Sequence, residues 1–265
     1  MQFNFGENWK EFSEKALTPA MLDAAGRDFD ELTAGLPLDG SSFLDIGFGQ
    51  GMSLILAHRR GAKCVGNDIN PLSREILAYN LSQSGLPDVS ISTVTGSILE
   101  RGTRERIREI RREFDIVHSW GVLHHTGDMW GAIKLAGEFV APKGHLILAL
   151  YNLHWSCPAW HGIKLVYNKS PRWIQRLMIR LLYPVIFVAK WVVTRQDPRS
   201  KERGMDFYYD VIDWVGGYPY EYASESQVVH YMKRLGFECT RIIPADVPTG
   251  CNNFVFRKMD APCES

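Results

Sequence analysis

Three glycines in one short run are the first residues in this chain whose spacing suggests chemistry. The run Asp45-Ile46-Gly47-Phe48-Gly49-Gln50-Gly51 follows an apolar segment and leads directly into a stretch with helical periodicity. Glycine at these positions lets the backbone turn sharply and approach a ligand where a side chain would collide. The helix that follows offers unpaired N–H groups to an anionic part of that ligand. The run therefore predicts a ligand-binding loop between a strand and a helix.

The glycine spacing and one acidic residue bear on which cofactor this loop would take. A dinucleotide fingerprint has the spacing G-x-G-x-x-G, which would place a third glycine where the chain has Met52. The observed D-x-G-x-G-x-G run instead resembles the nucleoside-binding loop of class I methyltransferases, which use S-adenosylmethionine. Asp68 ends the second predicted strand, where a carboxylate can accept hydrogen bonds from both ribose hydroxyls of either cofactor. Taken with the glycine spacing, Asp68 favours S-adenosylmethionine over a nicotinamide cofactor.

The most specific motif is the segment around the fourth predicted strand, which reads F-D-I-V-H-S-W-G-V-L-H-H-T from Phe114 to Thr126. It resembles the signature that follows the fourth strand in small-molecule methyltransferases related to the ubiquinone-biosynthesis enzymes. The resemblance covers roughly residues 42–151 and is looser over 4–38 and the last forty residues. It implies a methyltransferase that uses S-adenosylmethionine, releases S-adenosylhomocysteine and acts on a small or lipid-linked acceptor, with oxygen as the expected site of methylation.

The resemblance also implies a set of cofactor-binding residues, which lie at the carboxyl ends of predicted strands. They are Asp45, Gly47, Phe48, Gly49, Gly51, Asp68, Ile69, Ser97, Ile98, Ser119, Trp120 and Gly121. Ser97 departs from the family pattern, because many members carry an acidic residue at that position, near the expected adenine. No metal site is predicted, since the five cysteines lie far apart and form no C-x-x-C pair.

Five residues are candidates for removing the proton that a hydroxyl or amine acceptor must lose. They are His124, His125, Tyr208, Asp210 and Asp213. Imidazole titrates near neutral pH, which makes either histidine a candidate base, although a hydrogen-bonded structural role fits the histidines equally well. The other three lie in an aromatic and acidic stretch, 206–221, which is predicted either to line a substrate pocket or to form a structural loop. The sequence does not choose among the five.

The elements that would position these residues follow from hydrophobic periodicity. Short apolar runs alternate with amphipathic segments, which is the rhythm of strand–helix–strand crossovers. Strands are predicted over 43–46, 63–67, 89–94, 114–118 and 145–151, and helices over 52–60, 71–83, 103–112 and 129–140. A helix over 224–235 and strands over 237–243 and 251–257 follow. The pattern predicts an α/β fold with a doubly wound, mainly parallel, Rossmann-like sheet of seven strands.

Four regions are predicted along the chain. They are an N-terminal helical flap (1–40), a cofactor-binding core (41–151), a helical and aromatic insertion (152–222), and a final helix with the last two strands (223–265). The insertion is basic, because residues 160–205 hold ten Lys or Arg against two acidic residues. It is predicted to contain a pair of apolar helices broken near Pro184. This surface could pack on the domain, join two subunits in a homodimer, or contact an anionic membrane through 172–195.

Composition and charge indicate whether the protein binds nucleic acid, spans a membrane or is secreted. Thirty basic residues balance thirty acidic ones, which argues against a nucleic-acid-binding protein. The longest uncharged apolar stretch of the insertion, 181–189, is shorter than a bilayer span, and the first residues lack the pattern of a signal peptide. A cytoplasmic protein, with or without membrane association, is therefore expected. Two alternatives from other classes stay open: a nicotinamide-dependent oxidoreductase and a non-catalytic cofactor-binding protein.

Overall fold

The computed structural model describes residues 19–198 and 207–260. In chain order its elements are α1 (Pro19–Leu32), β1 (Ser42–Ile46), α2 (Met52–Arg59), β2 (Lys63–Asp68), α3 (Ser73–Gln83), β3 (Ser92–Thr95), α4 (Arg101–Ile110), β4 (Phe114–Trp120), a 3-10 turn (Leu123–His125), α5 (Met129–Gly137), β5 (Val140–Tyr151), α6 (Cys157–Lys169), α7 (Arg172–Thr194), α8 (Phe207–Gly216), α9 (Glu225–Arg234), β6 (Phe237–Ile243) and β7 (Cys251–Lys258). The N-terminal part of the predicted flap, 1–18, lies outside the described residues.

Within the described residues the strands form one seven-stranded sheet in the order β3-β2-β1-β4-β5-β7-β6. The first five strands are parallel, and β7 runs antiparallel to both of its neighbours. β1 lies beside β4, with Phe43 opposite Ile116 and Asp45 opposite His118. The chain order reverses at this pair, so the loops after β1 and β4 meet at the edge where ligands bind in open α/β sheets. The predicted α/β fold is confirmed.

The sheet is covered on both faces because its central strands are apolar on both sides. Leu44 and Ile46 face a core cluster that includes residues of α4, α5 and α9. Phe43, next to Leu44 in β1, faces the opposite cluster, which includes residues of α1, α2 and α3. The same alternation occurs in β5, where Ile147 and Leu148 belong to different clusters. The doubly wound arrangement thus follows from the period-two alternation of side chains along a strand.

Several boundaries differ from the predicted ones. β3 covers Ser92–Thr95 rather than 89–94, because Val89 and Ile91 pack against the core without entering the ladder. β5 begins at Val140 rather than at 145, since Val140 already pairs with Phe114 across an irregularity in the ladder. α5 consequently ends at Gly137 rather than at 140.

The insertion between β5 and α9 has an apolar cluster of its own. Tyr167, Ile179, Phe207, Val211 and Val215 form its buried centre. The two ends of the insertion lie side by side, since Asn152 and Ala223 form an isolated parallel β-bridge. The Leu153 N–H donates to the Ala223 carbonyl at 3.1 Å, and the Ala223 N–H donates to the Tyr151 carbonyl at 3.0 Å. The insertion therefore leaves the sheet and returns to it at one point.

α7 is one continuous helix of 23 residues with Pro184 in its interior, which corrects the predicted pair of helices. A proline removes a single N–H donor and crowds one turn, and here the helix continues on both sides of it. By length and composition alone, Arg172–Thr194 could cross a membrane, and only 6% of its most apolar window is buried. The expectation that no segment is long enough to cross a bilayer therefore does not hold, because it considered only the uncharged stretch 181–189 and not the whole helix.

The core packing around β7 predicts the cost of truncating a central side chain. Phe256 is fully buried between neighbouring strands. Phe256→Ala should lower the free energy of unfolding by about 3–5 kcal/mol, because it removes buried apolar surface and leaves a cavity. Chemical denaturation monitored by circular dichroism measures this change. Met259→Ala, at an exposed position just beyond β7, is the control and should change the unfolding free energy by less than about 0.5 kcal/mol.

Candidate active site

The glycine loop after β1 is packed against two other segments of the domain. Gly47 and Gly51 have φ values of 76° and 81°, a region that favours glycine. A Cβ at Gly47 would lie 2.3 Å from a methyl group of Val122, in the segment after β4. A Cβ at Gly51 would lie 2.3 Å from Leu77 on α3. These two glycines are therefore required by conformation and by close packing, and they bring the loop against the segment after β4.

Asp68, at the end of β2, binds the same loop through its carboxylate. One oxygen accepts a hydrogen bond from the Gly49 N–H at 2.8 Å, and the other accepts one from the Asn70 N–H at 2.7 Å. Burial raises the pKa of this carboxyl, while the two backbone N–H groups oppose that shift. The arrangement fixes an acidic group beside the glycine loop, as the sequence predicts.

Asp45 has a different environment from the rest of the predicted cofactor set. One of its carboxylate oxygens lies 2.8 Å from Nδ1 of His118 on β4, and both side chains are buried. The His118 ring stacks on Phe43 with a centroid distance of 5.6 Å. Ser119 makes a second link between the strands, because its hydroxyl donates to the Ile46 carbonyl at 2.8 Å. Asp45 and Ser119 therefore support the loops from within the sheet.

The other predicted cofactor residues divide into buried and accessible side chains. Phe48 and Ile98 belong to the two core clusters, so they could meet a ligand only through their backbone. The Ser97 hydroxyl accepts a hydrogen bond from the Leu99 N–H at 3.2 Å. Ile69 and Trp120 are about half exposed, at 48% and 43%.

Gly121 follows Trp120 with a φ of 74°, and a Cβ there would meet open space. The exposed side chains and this open position lie after β2 and β4, on the same edge as the glycine loop.

These residues fit S-adenosylmethionine, the cofactor that the motif implies. Asp68 supplies a buried carboxylate beside the loop, and the half-exposed Ile69 supplies an apolar surface next to it. The side-chain oxygen of Gln50 is buried and has no hydrogen-bond partner among the described residues, so a donor on a ligand could satisfy it. Asp68 would hold the ribose hydroxyls, and the glycine backbone would lie against the rest of the cofactor.

His124 and His125 lie in the 3-10 turn after β4, and both are buried. Nδ1 of His125 lies 2.6 Å from the Pro219 carbonyl, which places a proton on that nitrogen. Nδ1 of His124 instead accepts a hydrogen bond from the Tyr151 N–H at 3.3 Å, which leaves the proton on Nε2. His124 Nε2 is buried and has no partner among the described residues. The two rings make an edge contact with a centroid distance of 4.4 Å.

The surroundings of the two histidines keep both rings neutral at physiological pH. Burial, with a contribution from the nearby Lys164 cation, lowers the pKa of His125 to about 3. Burial, together with His125 and Lys164, holds the pKa of His124 well below its usual value. A base with so low a pKa gains little by taking a proton from a hydroxyl. The geometry therefore suits His124 and His125 to hydrogen bonding better than to proton abstraction.

The three candidates on α8 do not form one group with the histidines. Tyr208 is 49% exposed, packs near Tyr183 and Tyr209, and lines a groove beside α7. Asp210 lies 3.7 Å from the ammonium of Lys190 on α7. Asp213 is close enough to Lys164 to influence its charge. Asp210 and Asp213 both act on the charge state of Tyr151, which contacts the histidines.

Several residues around the histidines were not predicted from the sequence. Tyr151, Lys164, Trp214 and Tyr220 surround the pair or contact its neighbours, and they come from β5, α6, α8 and the loop after α8. Glu221 holds that loop in place, because its carboxylate accepts hydrogen bonds from the N–H groups of Gly127 and Met129. The sequence signal for the loop was the density of aromatic residues in 206–221, but nothing in the spacing indicated Lys164.

Gly217 explains how the aromatic loop comes so close to the histidine turn. A Cβ at this position would lie 2.7 Å from a carbon of the His125 ring. The Glu221 N–H also donates to the His124 carbonyl at 3.0 Å. The loop after α8 and the turn after β4 are thus directly joined.

Comparisons with known proteins agree with this fold. Residues 20–242 match the model of a family described as a methyltransferase domain. Magnesium protoporphyrin IX methyltransferase from Synechocystis PCC 6803, solved with S-adenosylmethionine bound, superposes with a TM-score of 0.56 and 12% identity over 95% of this chain and 90% of that chain. A protein named PKMT2 from Rickettsia typhi, solved with S-adenosylhomocysteine, gives a TM-score of 0.57 and 13% identity over 90% of this chain and 53% of that chain. At these identities the likeness concerns the fold.

Curated relatives carry the name ubiquinone biosynthesis O-methyltransferase. The protein from Cereibacter sphaeroides is 29% identical over 141 residues, which are 51% of this chain and 53% of the relative. The protein from Brucella anthropi is 30% identical over 116 residues, 44% of this chain and 43% of the relative. The chain thus spans about half the length of these relatives or less. It belongs to the methyltransferase-domain family, as the sequence predicts.

The position of Asp68 predicts a pH-dependent affinity for S-adenosylhomocysteine. Ribose hydroxyls donate to the charged carboxylate, so affinity should be retained above the raised pKa of Asp68 and should fall as the pH is lowered through it. Asp68→Asn should bind about tenfold or more weakly at neutral pH, because hydrogen bonds to a charged group are lost, and should lack this pH dependence. Isothermal titration calorimetry measures both effects.

Asp88→Asn is the control for this experiment, since Asp88 is an exposed acidic residue outside the site. It should bind as the unchanged protein does. A folded Asp68→Asn protein with full affinity, or with the same pH response as the unchanged protein, would rule out the role of Asp68 in binding ribose.

Proposed function

We propose that this protein transfers a methyl group from S-adenosylmethionine to an oxygen atom of a small or lipid-linked acceptor. The observation that carries the proposal is the convergence of the glycine loop, Asp68 and the histidine turn at one edge of the sheet. The proposal of oxygen as the methylated atom is supported by the names of the curated relatives. A site of this kind has a cofactor part after β1 and β2 and an acceptor part after β4 and β5.

The residues of the site would act mainly by alignment and by excluding water. The bound cofactor supplies a methyl group already activated on a sulfonium sulfur. The glycine loop and Asp68 would fix the position of that cofactor relative to the histidine turn, and alignment of two reactants is worth about 7–11 kcal/mol in model reactions. His124, His125 and Tyr151 are all largely buried, which supports a dry environment for the acceptor.

The histidines would orient the acceptor within this environment. His124 presents a buried Nε2–H donor without a partner among the described residues, which suits an acceptor oxygen. His125 is held by the Pro219 carbonyl and would fix the ring of His124 through their edge contact. The roles of Tyr208 and Asp210 as bases have less support, because both side chains interact with neighbours around α7.

The cofactor assignment is tested by calorimetric titration with S-adenosylhomocysteine, with NADH and NADPH as controls. Binding of S-adenosylhomocysteine alone is expected, since Met52 stands where a dinucleotide fingerprint has its third glycine. Transfer of a labelled methyl group to phenols, sugars and lipid-linked hydroxyl compounds would then identify the acceptor class. Binding of a nicotinamide cofactor, or folded protein that binds S-adenosylhomocysteine but methylates none of these hydroxyl acceptors, would contradict the proposal.

We further propose that α7 contacts an anionic membrane surface and so gives the site access to a lipid-linked acceptor. The apolar side chains Trp173, Leu177, Leu181, Val185 and Val188 recur every three or four residues, and each is about half exposed or more. No acidic residue occurs from Ala159 to Gln196. An exposed apolar face flanked by basic residues is typical of helices that lie in the membrane interface.

Three arginines on α7 provide the test of this contact. Arg172, Arg176 and Arg180 line one groove of the insertion. Their replacement by Ser should weaken co-sedimentation with phosphatidylglycerol vesicles by roughly tenfold or more, because each basic residue near an anionic surface contributes about 1 kcal/mol. Replacement of Arg101, Arg108 and Arg112 by Ser removes the same charge elsewhere and should have little effect.

Two results would contradict the membrane contact. One is unchanged protein that does not sediment with anionic vesicles at low salt. The other is a concentration-dependent dimer in sedimentation velocity that disappears when Leu177 and Leu181 are replaced by Ser, since the apolar face would then be covered by a second subunit.

A further inference from the structure

Lys164 is a buried cation that the proposed function does not use. It lies on α6, and its side chain has no exposed surface. Its ammonium nitrogen is 4.1 Å from the ring centroid of Trp214, 4.7 Å from that of Tyr220 and 5.6 Å from that of Tyr151. It also donates a short hydrogen bond to the Trp214 carbonyl. Three aromatic residues from three different segments thus form a cage around one lysine.

The charge of Lys164 is balanced between opposing effects. Burial lowers its pKa to about 7, whereas the ring faces favour the ammonium form. Asp213 and Cys251 also favour the charged form. The titratable groups that face this region are His124 and His125 from the turn after β4, Tyr151 from β5, Cys157 from α6, Asp210 and Asp213 from α8, Tyr220 from the following loop and Cys251 from β7.

The cage is in direct contact with the histidine turn. The Tyr151 ring lies over His124 with a centroid distance of 3.9 Å, and its other neighbours include Trp214 and Tyr220. His124 carries the buried Nε2–H that has no partner among the described residues. Two of the polar groups gathered here, the His124 Nε2–H and the Lys164 ammonium, are donors. A buried group of donors favours an electron-rich oxygen and disfavours another cation.

We propose that Lys164 makes the acceptor part of the site selective for an oxygen anion, such as a phenolate or a carboxylate, over a protonated amine. Lys164 acts here as a specificity-determining residue, through its charge behind Tyr151 and His124. The inference rests on the proposed function and names the chemical class of its acceptor.

The methyl transfer then needs no base that touches the acceptor. A phenol releases its proton to solvent as it binds, because the Lys164 charge favours the phenolate. A lone pair of the phenolate oxygen forms the bond to the methyl carbon while the carbon–sulfur bond breaks, and that electron pair stays on sulfur. The anion and the sulfonium cation both become neutral, which a dry site favours.

The test uses the full chain, with and without S-adenosylhomocysteine, and two small probes. 4-Nitrobenzoate remains an anion across the pH range used, and protonated 4-nitrobenzylamine is a cation of similar size at a pH of about 6. Calorimetry should show tighter binding of the benzoate than of the amine at that pH. From a pH of about 6 to about 9 the affinity for benzoate should fall about tenfold, because Lys164, with a pKa of about 7, loses its charge over this range. The factor of ten corresponds to a shift of about one unit in the pKa of Lys164 when benzoate binds.

Variants separate the charge of Lys164 from its packing. Lys164→Met should bind benzoate weakly at both pH values, and Lys164→Arg should restore binding and make it independent of pH, since arginine stays charged. Lys190→Met removes a lysine of α7 that pairs with Asp210. This control variant should keep the pH response of the unchanged protein.

The proposal is overturned if the unchanged protein binds both probes equally or binds neither, or if the pH response persists in Lys164→Arg. The unchanged protein alone supplies the first comparison, so the result does not depend on the folding of a variant. Affinity for S-adenosylhomocysteine, measured on the same samples, separates the two levels of inference. If the unchanged protein binds S-adenosylhomocysteine but does not prefer the anionic probe, only the role of Lys164 is contradicted. If the unchanged protein does not bind S-adenosylhomocysteine, the proposed function itself is contradicted.

Discussion

The pairing of β1 with β4 is the constraint on which the rest of the site depends. These strands are distant in sequence, and two side-chain links join them from opposite ends. Near the start of β1, the Ser42 hydroxyl and N–H donate to one oxygen of Asp115 at 2.6 and 2.8 Å. Near its end, Asp45 and His118 form a buried pair. Losing one partner of such a pair leaves a buried polar group without its hydrogen bond, which typically costs about 1–3 kcal/mol. The glycine loop and the histidine turn begin immediately after these links, so their separation is set by the sheet.

Much of the cofactor half was predictable because its determinants are local. Gly47 and Gly51 occupy positive-φ positions within a few residues of a strand end, and Asp68 ends the next strand. The capping box at Ser224 and Gln227 is likewise contained in one short segment and marks the start of α9. Such features depend on residues that are close in sequence, so hydrophobic periodicity and turn-forming residues predict them directly.

The histidine turn and its surroundings were less predictable because their contacts join segments that are far apart. Lys164 reads in the sequence as one more basic residue of an amphipathic helix, and lysine is rarely buried in proteins. Only the fold brings the rings of Tyr151, Trp214 and Tyr220 around it. The continuity of α7 was missed for a related reason, since Pro184 is a local signal and the helix continues on both sides of it. The boundary of β5 was missed because Val140 pairs with Phe114 across the sheet.

The surroundings of the glycine loop and of the histidine turn also differ in the polar and charged groups that they contain. Around the glycine loop, backbone N–H groups and one carboxylate provide the polar contacts. Around the histidine turn, aromatic faces and the Lys164 ammonium take their place, with Asp213 close to that ammonium, and the carboxylate of Glu221 accepts hydrogen bonds from N–H groups at the start of α5. Asp68 and Lys164 thus supply opposite charges in different parts of the domain.

The closed ends of the insertion have a consequence for how this scaffold can change over evolutionary time. Asn152 and Ala223 already lie together, so the chain between them is a loop whose closure is secured by the sheet rather than by its own length. Lengthening a closed loop costs little entropy, about 0.6 kcal/mol for each doubling. With its own apolar cluster, the segment can be lengthened, replaced or recombined as a cassette while the strand order beneath it stays the same. Acceptor choice and cofactor use would then be inherited as separable traits.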